Sequence, residues 1–281
     1  MIRVIYEGRL GNNLFQYCFG RILAEELGLH LEAPYIEGFP NTYDLVEGLK
    51  LDALQIETVG CCADLGGMNE ESVDLKNIIE DPDSKRKAFL VSGFFQRYEY
   101  FSQYKDRIKK WLRQDEEKNF YDIGKDDLVI NIRVGDYVGL HYNEDVYYPK
   151  MKQWRRRGHL VDYSYYLDVI KISMPKRVFI VTEDTENEIV KKLKGLVGDE
   201  CVVVSQSPVE DFKFIKMFNK ICMSKSTFCW WAAFLSKAEE IYMPNTHWGV
   251  WSTDNTSLFV TDESRYKIID CSNLLDDPIL G

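Results

Sequence analysis

Apolar and polar positions alternate along this chain in two different ways. Residues 2–6 form a short apolar-alternating run, which predicts a buried first strand. A polar stretch with two glycines follows at 7–13, and it reads as a loop. From 14 to 27, apolar side chains recur at Leu14, Tyr17, Cys18, Ile22, Leu23 and Leu27, close to helical spacing, and Gly28 is a natural stop. The opening is therefore strand, glycine loop, helix. Residues 34–88 are less regular, with short apolar pieces, Pro34, Pro40, Pro82 and many acids. A strand is predicted at 90–95 and a helix at 98–112. The polar stretch 114–127, with one glycine, is the best domain boundary. It divides the chain into halves at 1–124 and 125–281.

The second half alternates more cleanly. Strands are predicted at 128–133, 178–182, 202–204, 221–223 and 241–243. Helices are predicted at 163–172, 186–196, 209–218 and 228–235. Ser207-Pro208 opens the third of these helices with a cap and a first-turn proline. Strands alternating with helices predict a parallel sheet and an α/β fold. The tail after Asn245 reads as irregular. No internal repeat or low-complexity tract is visible.

Composition narrows the function classes. The formal net charge of −10 argues against a general nucleic-acid binder, which carries a basic face. An anionic ligand would need a local cluster of Arg or backbone N–H donors. The seven cysteines are odd in number, and the adjacent pair Cys61-Cys62 has poor zinc spacing, so they read as buried thiols of a reduced, cytoplasmic chain. Four scattered histidines suggest no metal site. The N-terminus lacks a signal-peptide layout, and no run approaches a membrane span.

Ligands of open α/β sheets bind at the carboxyl ends of strands, and three stretches fall there. Gly8-Arg9-Leu10-Gly11-Asn12-Asn13 lets the backbone approach a ligand, and the following helix aims N–H groups at an anion. A tight strand-to-helix turn explains the same pattern equally well. Asn131-Ile132-Arg133-Val134-Gly135-Asp136-Tyr137 puts a cation at the end of an apolar strand. A cation there is costly without an anion, and a phosphate would suit the guanidinium fork. Asp136 could take a proton from a hydroxyl. A surface Arg133–Asp136 ion pair is at least as good a reading. Ser224-Lys225-Ser226-Thr227-Phe228-Cys229-Trp230-Trp231 brings small hydroxyls to a helix start, as phosphate donors or as simple caps before an aromatic core.

Taken in order, these stretches resemble the α-1,2-fucosyltransferase family. The family opens with Gly-Gly-Leu-Gly-Asn-Gln-Met-Phe-Gln-Tyr, against Gly8-Arg9-Leu10-Gly11-Asn12-Asn13-Leu14-Phe15-Gln16-Tyr17 here. Its middle motif, His-x-Arg-Arg-Gly-Asp-Tyr, stands as residues 131–137. Its late motif, Ser-Ser-Phe-Ser-Trp-Trp, stands as Ser226-Thr227-Phe228-Cys229-Trp230-Trp231. Smaller matches are the aromatic segment at 93–101, the pair Tyr165-Tyr166, and Thr182-Glu183-Asp184 for the family's Ser-Asp-Asp. The resemblance implies a GT-B-like fold of two Rossmann-like halves facing a cleft, with the acceptor on the N-terminal side and the nucleotide sugar on the C-terminal side. It implies GDP-fucose as donor, a glycan acceptor, no metal or other cofactor, and inversion. Arg133 would bind the diphosphate. Gly11, Asn12, Asn13, Asp184, Ser224, Ser226 and Thr227 would contribute to donor binding. Asp211 would lie near the guanine, and Asp136 is the candidate base.

Two positions depart from the family pattern: Asn131 replaces the motif's His and Val134 its second Arg. The departures leave open a donor carrying xylose or rhamnose. Glu144 and Asp145 are further candidates for the base. Two rival classes remain. Asp81-Pro82-Asp83 fits the Asp-x-Asp pattern of metal-dependent transferases, although it also reads as a solvated turn. Trp248 and Trp251 could stack on sugars in a non-catalytic glycan-binding module. Arg155-Arg156-Arg157 could meet an anionic acceptor or simply face solvent.

Overall fold

Two parallel sheets organise the chain, each in its own unit: 1–116 and 117–281. The structure is a computed structural model. It describes all residues except 44–46, 49–55, 62–72, 115–120, 138–144, 149–152, 157–159, 247–248, 253–257 and 272–281, and the side chains at 56, 60–61, 145–148 and 153–156. Glu144, Trp248, Arg157 and Cys62, with the side chains of Asp145, Arg155, Arg156 and Cys61, therefore lie outside what is described.

The first unit holds β1 (Ile2–Val4), β2 (Leu31–Glu32), β3 (Ile56–Cys61) and β4 (Ala88–Gly93), in the order β2-β1-β4-β3. All pairings are parallel. Helix α1 (Leu10–Leu27) buries nearly its whole circumference, as its apolar residues require. Gly20 permits the close approach to β1, because a Cβ there would lie 2.3 Å from Val4 Cγ2. Gly28, at φ 67°, ends α1 by donating its N–H to the Ala24 carbonyl. The helix begins four residues before the apolar periodicity does. Its first turn is the polar segment Leu10-Gly11-Asn12-Asn13, which carries no hydrophobic repeat to betray it. Helix α2 (Leu75–Glu80) lies in the stretch that resisted sequence reading.

The helix predicted at 98–112 is instead two short 3-10 turns, Tyr98–Tyr100 and Ser102–Tyr104, leading into α3 (Lys105–Trp111). Its aromatic residues face the core at irregular spacing. Phe101 packs on Phe15 at 5.4 Å and Tyr100 on Phe19 at 5.3 Å. Phe95, at φ 51°, stacks on Phe19 at 4.1 Å.

The second unit's strands are β5 (Leu128–Ile132), the antiparallel pair β6 (Asp145–Tyr148) and β7 (Gln153–Arg156), β8 (Val178–Thr182), β9 (Cys201–Val204), β10 (Lys220–Cys222), β11 (Glu240–Asn245) and β12 (Tyr266–Asp270). The main sheet runs β12-β11-β10-β5-β8-β9, all parallel. Every residue of β5 and β8 is buried, as expected of strands covered on both faces. Helices α4 (Tyr163–Ser173), α5 (Glu188–Val197), α6 (Pro208–Lys216) and α7 (Thr227–Leu235) start on the side-chain caps Asp162, Asn187, Ser207 and Ser226. Ser207 and Glu210 complete a capping box. Trp230 and Trp231 are fully buried on α7, and Trp230 Nε1 donates to the Leu258 carbonyl at 2.8 Å. The tail expected to be irregular supplies the edge strand β12, whose mostly exposed residues hide it from an apolar-run reading. Among the described residues, five cysteines are free and buried, and no helix is long and apolar enough to cross a membrane.

Candidate nucleotide-binding site

Chain order fixes where this second sheet can hold a ligand. From β5 the chain steps outward to β8 and β9, then returns to the other side of β5 for β10, β11 and β12. The direction of winding reverses between β5 and β10. Connections leaving those two strands diverge, and the crevice beyond their carboxyl ends is the usual ligand site of such sheets. Residues 133–137 follow β5, and residues 224–227 follow β10. The two motifs thus flank the switch point.

Arg133 is the cation of this site. Its side chain is 11% exposed, and its guanidinium carbon lies over the Tyr137 ring, 4.5 Å from the centroid. Nη2 donates to Asp136, three residues on, and Nη1 donates to Glu183, just past β8. The ion pair weighed for Arg133 and Asp136 is therefore present, joined by a second carboxylate. Gly135 makes room for it. At φ 27° it is strained for any side chain, and a Cβ there would stand 2.2 Å from Glu183 Oε1 and 3.0 Å from Arg133 Nη1.

Polar side chains beneath the motif tie three strands together. Ser224 Oγ donates to Asn131 Oδ1 at 3.0 Å, and Asn131 Nδ2 donates to the Val181 carbonyl at 3.3 Å. Ser224 is 1% exposed and spends its hydroxyl on this strap, so its place is under the site rather than on its surface. Both departures from the family pattern are interior: Asn131 serves the strap, and Val134 is fully buried in the core. Ser226 caps α7, its Oγ accepting from Cys229 N at 3.4 Å, and Thr227 is half-buried beside it. Lys225, between these serines, is buried, and burial pushes its ammonium down to about 7.

Two further acids lie along the same edge. Asp184 shapes the turn after β8: its N–H donates to Thr182 Oγ1 at 3.2 Å and its Oδ1 accepts from Glu186 N at 3.1 Å. Asp211, in the first turn of α6, accepts from Gln206 N at 3.1 Å, and burial pushes its carboxyl up to about 6. At usual strand spacing, β9 and its following loop lie roughly 10 Å from β5. Arg133, Asp136 and Glu183 are in contact. Asp184 is next in sequence, and Asp211 is set further along the edge.

Gly11, Asn12 and Asn13 belong to the first unit, on the opening turn of α1. Gln96 Nε2 donates to Asn12 Oδ1 at 3.2 Å. Gln16, fully buried, donates to the Gly93 carbonyl at 2.9 Å and accepts from Glu7 N at 3.0 Å, clamping the glycine stretch to the end of β4.

Three residues named within these stretches carried no role of their own in the sequence: Gln16, Glu183 and Lys225. The signal for Glu183 was present, since two adjacent acids close an apolar strand, but only Asp184 was carried forward. For the rivals, Asp81 Oδ1 accepts from Asp83 N at 3.0 Å and Asp81 pairs with Lys87 at 3.4 Å, a turn motif at the start of the 3-10 segment Pro82–Arg86. Trp251 is buried, which removes it as a sugar-stacking platform.

Residues 75–268, well over half of the chain, match the family profile described as glycosyl transferase family 11. The middle and late motifs fall inside that match, and the glycine motif at 8–17 falls outside it. The galactoside alpha-(1,2)-fucosyltransferase 1 of Rattus norvegicus is 24% identical over 186 residues, covering 59% of this chain and 46% of that protein. The matched part is thus less than half of the rat protein's length. A solved structure of an Arabidopsis thaliana FUT1 mutant in complex with GDP aligns over 91% of this chain and 72% of its own, with TM-score 0.50 and 9% identity. That likeness concerns the fold, two α/β units of GT-B-like type, each built on a parallel sheet. By the extent of the profile match, the chain belongs to glycosyl transferase family 11.

Proposed function

We propose that this chain transfers L-fucose from GDP-fucose to a glycan hydroxyl, with inversion and without a metal. The observation that carries the reading is the place of Arg133: a nearly buried guanidinium just past β5 at the switch point, with the capped helix α7 beginning past the adjacent strand β10. A diphosphate is the ligand such a site suits, since both fork and helix N-terminus favour phosphate oxygens. The family membership supports the reaction class. The rat relative's name supports fucose, and GDP in the Arabidopsis structure supports the guanine nucleotide.

In the proposed reaction an acceptor hydroxyl attacks the anomeric carbon as its bond to the diphosphate oxygen breaks, through an oxocarbenium-like transition state. Negative charge grows on the leaving diphosphate, where Arg133 and the Ser226-Thr227 helix start would stabilise it. Asp184, which follows the second strand in winding order, would accept from ribose hydroxyls. Asp211 would accept from the guanine N–H groups. Asp136 is the proposed base for the acceptor's proton.

The test is transfer itself: purified protein, GDP-fucose and a panel of galactose-terminated glycans, with a chelator present, read by mass spectrometry. A fucosylated product that disappears in Arg133→Ala is expected. Transfer seen only from a xylose or rhamnose donor would replace fucose, and loss of activity in chelator would replace the metal-free mechanism.

A further inference from the structure

We propose that Glu183 is a positioning residue that holds Arg133 while the nucleotide is absent and yields it to the donor's diphosphate; this rests on the nucleotide-sugar reading above. Both terminal nitrogens of the guanidinium are engaged by carboxylates, one from Asp136 and one from Glu183. A diphosphate arriving at Arg133 meets two negative charges already there, and like charges around one cation oppose each other.

The two carboxylates are not equivalent. Asp136 sits in the same turn as Arg133 and moves with it. Glu183 comes from the neighbouring strand, on a backbone set by the Thr182–Asp184–Glu186 turn. It is the separable partner. Gly135 is shaped around this contact, because any side chain there would strike the Glu183 carboxylate. Glu183 therefore tunes how tightly a nucleoside diphosphate binds and helps expel the product diphosphate by reclaiming Arg133. It touches the reaction only through Arg133.

Calorimetric titration of GDP into wild type, Glu183→Gln and Glu183→Asp tests this, alongside melting curves with and without GDP. Glu183→Gln keeps the side chain's shape and removes its charge. It is expected to bind GDP about threefold to tenfold more tightly. Its donor KM should fall without a rise in kcat, and its melting point should drop only in the nucleotide-free state. Glu183→Asp should return towards wild type. Wild-type protein that binds GDP through Arg133, with Glu183→Gln binding it equally or more weakly, would overturn the inference and leave the functional reading standing. Wild-type protein that binds no nucleoside diphosphate would overturn both.

Discussion

The two units each open a helix from the end of a parallel strand, yet they equip that opening differently. In the first unit, α1 starts without a side-chain cap from Arg9, and the side chains of its first turn are neutral: Leu10, two amides and a glycine. In the second unit, α7 starts on the Ser226 hydroxyl, and the end of the neighbouring strand β5 is followed by Arg133 with two carboxylates. The same local geometry thus supports two chemistries. Neutral amides can read hydroxyls. A guanidinium can read a phosphate group.

The sharpest way to break this comparison is Arg133→Ala. It should lower kcat/KM for the donor by about 100-fold or more, the usual cost of losing one donor to a developing oxyanion. Steady-state rates with a saturating acceptor will show it. If the first unit's glycine motif is instead only structural, Gln16→Ala should cost about 2 kcal/mol of folding stability in urea, since it orphans the Gly93 carbonyl and the Glu7 N–H.

Gly135→Ala comes next. Its positive φ and the crowding against Glu183 predict a loss of about 1–2 kcal/mol in thermal unfolding. The smallest effect is at Asp211. Its carboxyl is raised in the folded state, so the folded protein holds the proton more tightly than the unfolded chain. The stability this gives is complete below the unfolded value near 3.8 and is lost as pH rises through about 6. Asp211→Asn should therefore lie closest to wild type at or below about pH 4 and exceed it by about 1 kcal/mol or more at pH 8. If Asp211 meets guanine, the same variant should bind GDP more weakly, a gain in stability set against a loss of function.

Much of the second unit was legible because parallel strands buried on both faces appear as unbroken apolar runs. Val178–Thr182 has the predicted limits, and Leu128–Ile132 is one residue shorter at its end. Elements with mixed polarity were not legible. The exposed edge strand Tyr266–Asp270 carries no apolar run, the first turn of α1 carries no periodicity, and the aromatic residues around Tyr98–Tyr104 enter the core through 3-10 turns. In the site, Arg133 stood out because a cation at the end of an apolar strand needs an explanation. Glu183 did not, because an exposed acid after a strand is ordinary until the fold places it against that cation. Ser224 showed the converse: its motif position suggested a ligand contact, and burial turned it into a strap between strands.

The most direct test of the central claim is the melting temperature of wild type and Arg133→Ala with GDP, UDP or dTDP, in chelator. A ligand at 100 times its Kd adds about 2.7 kcal/mol to the native state. A selective rise with GDP in wild type that vanishes in Arg133→Ala is expected. A rise confined to UDP or dTDP, or one that survives in the variant, would contradict it.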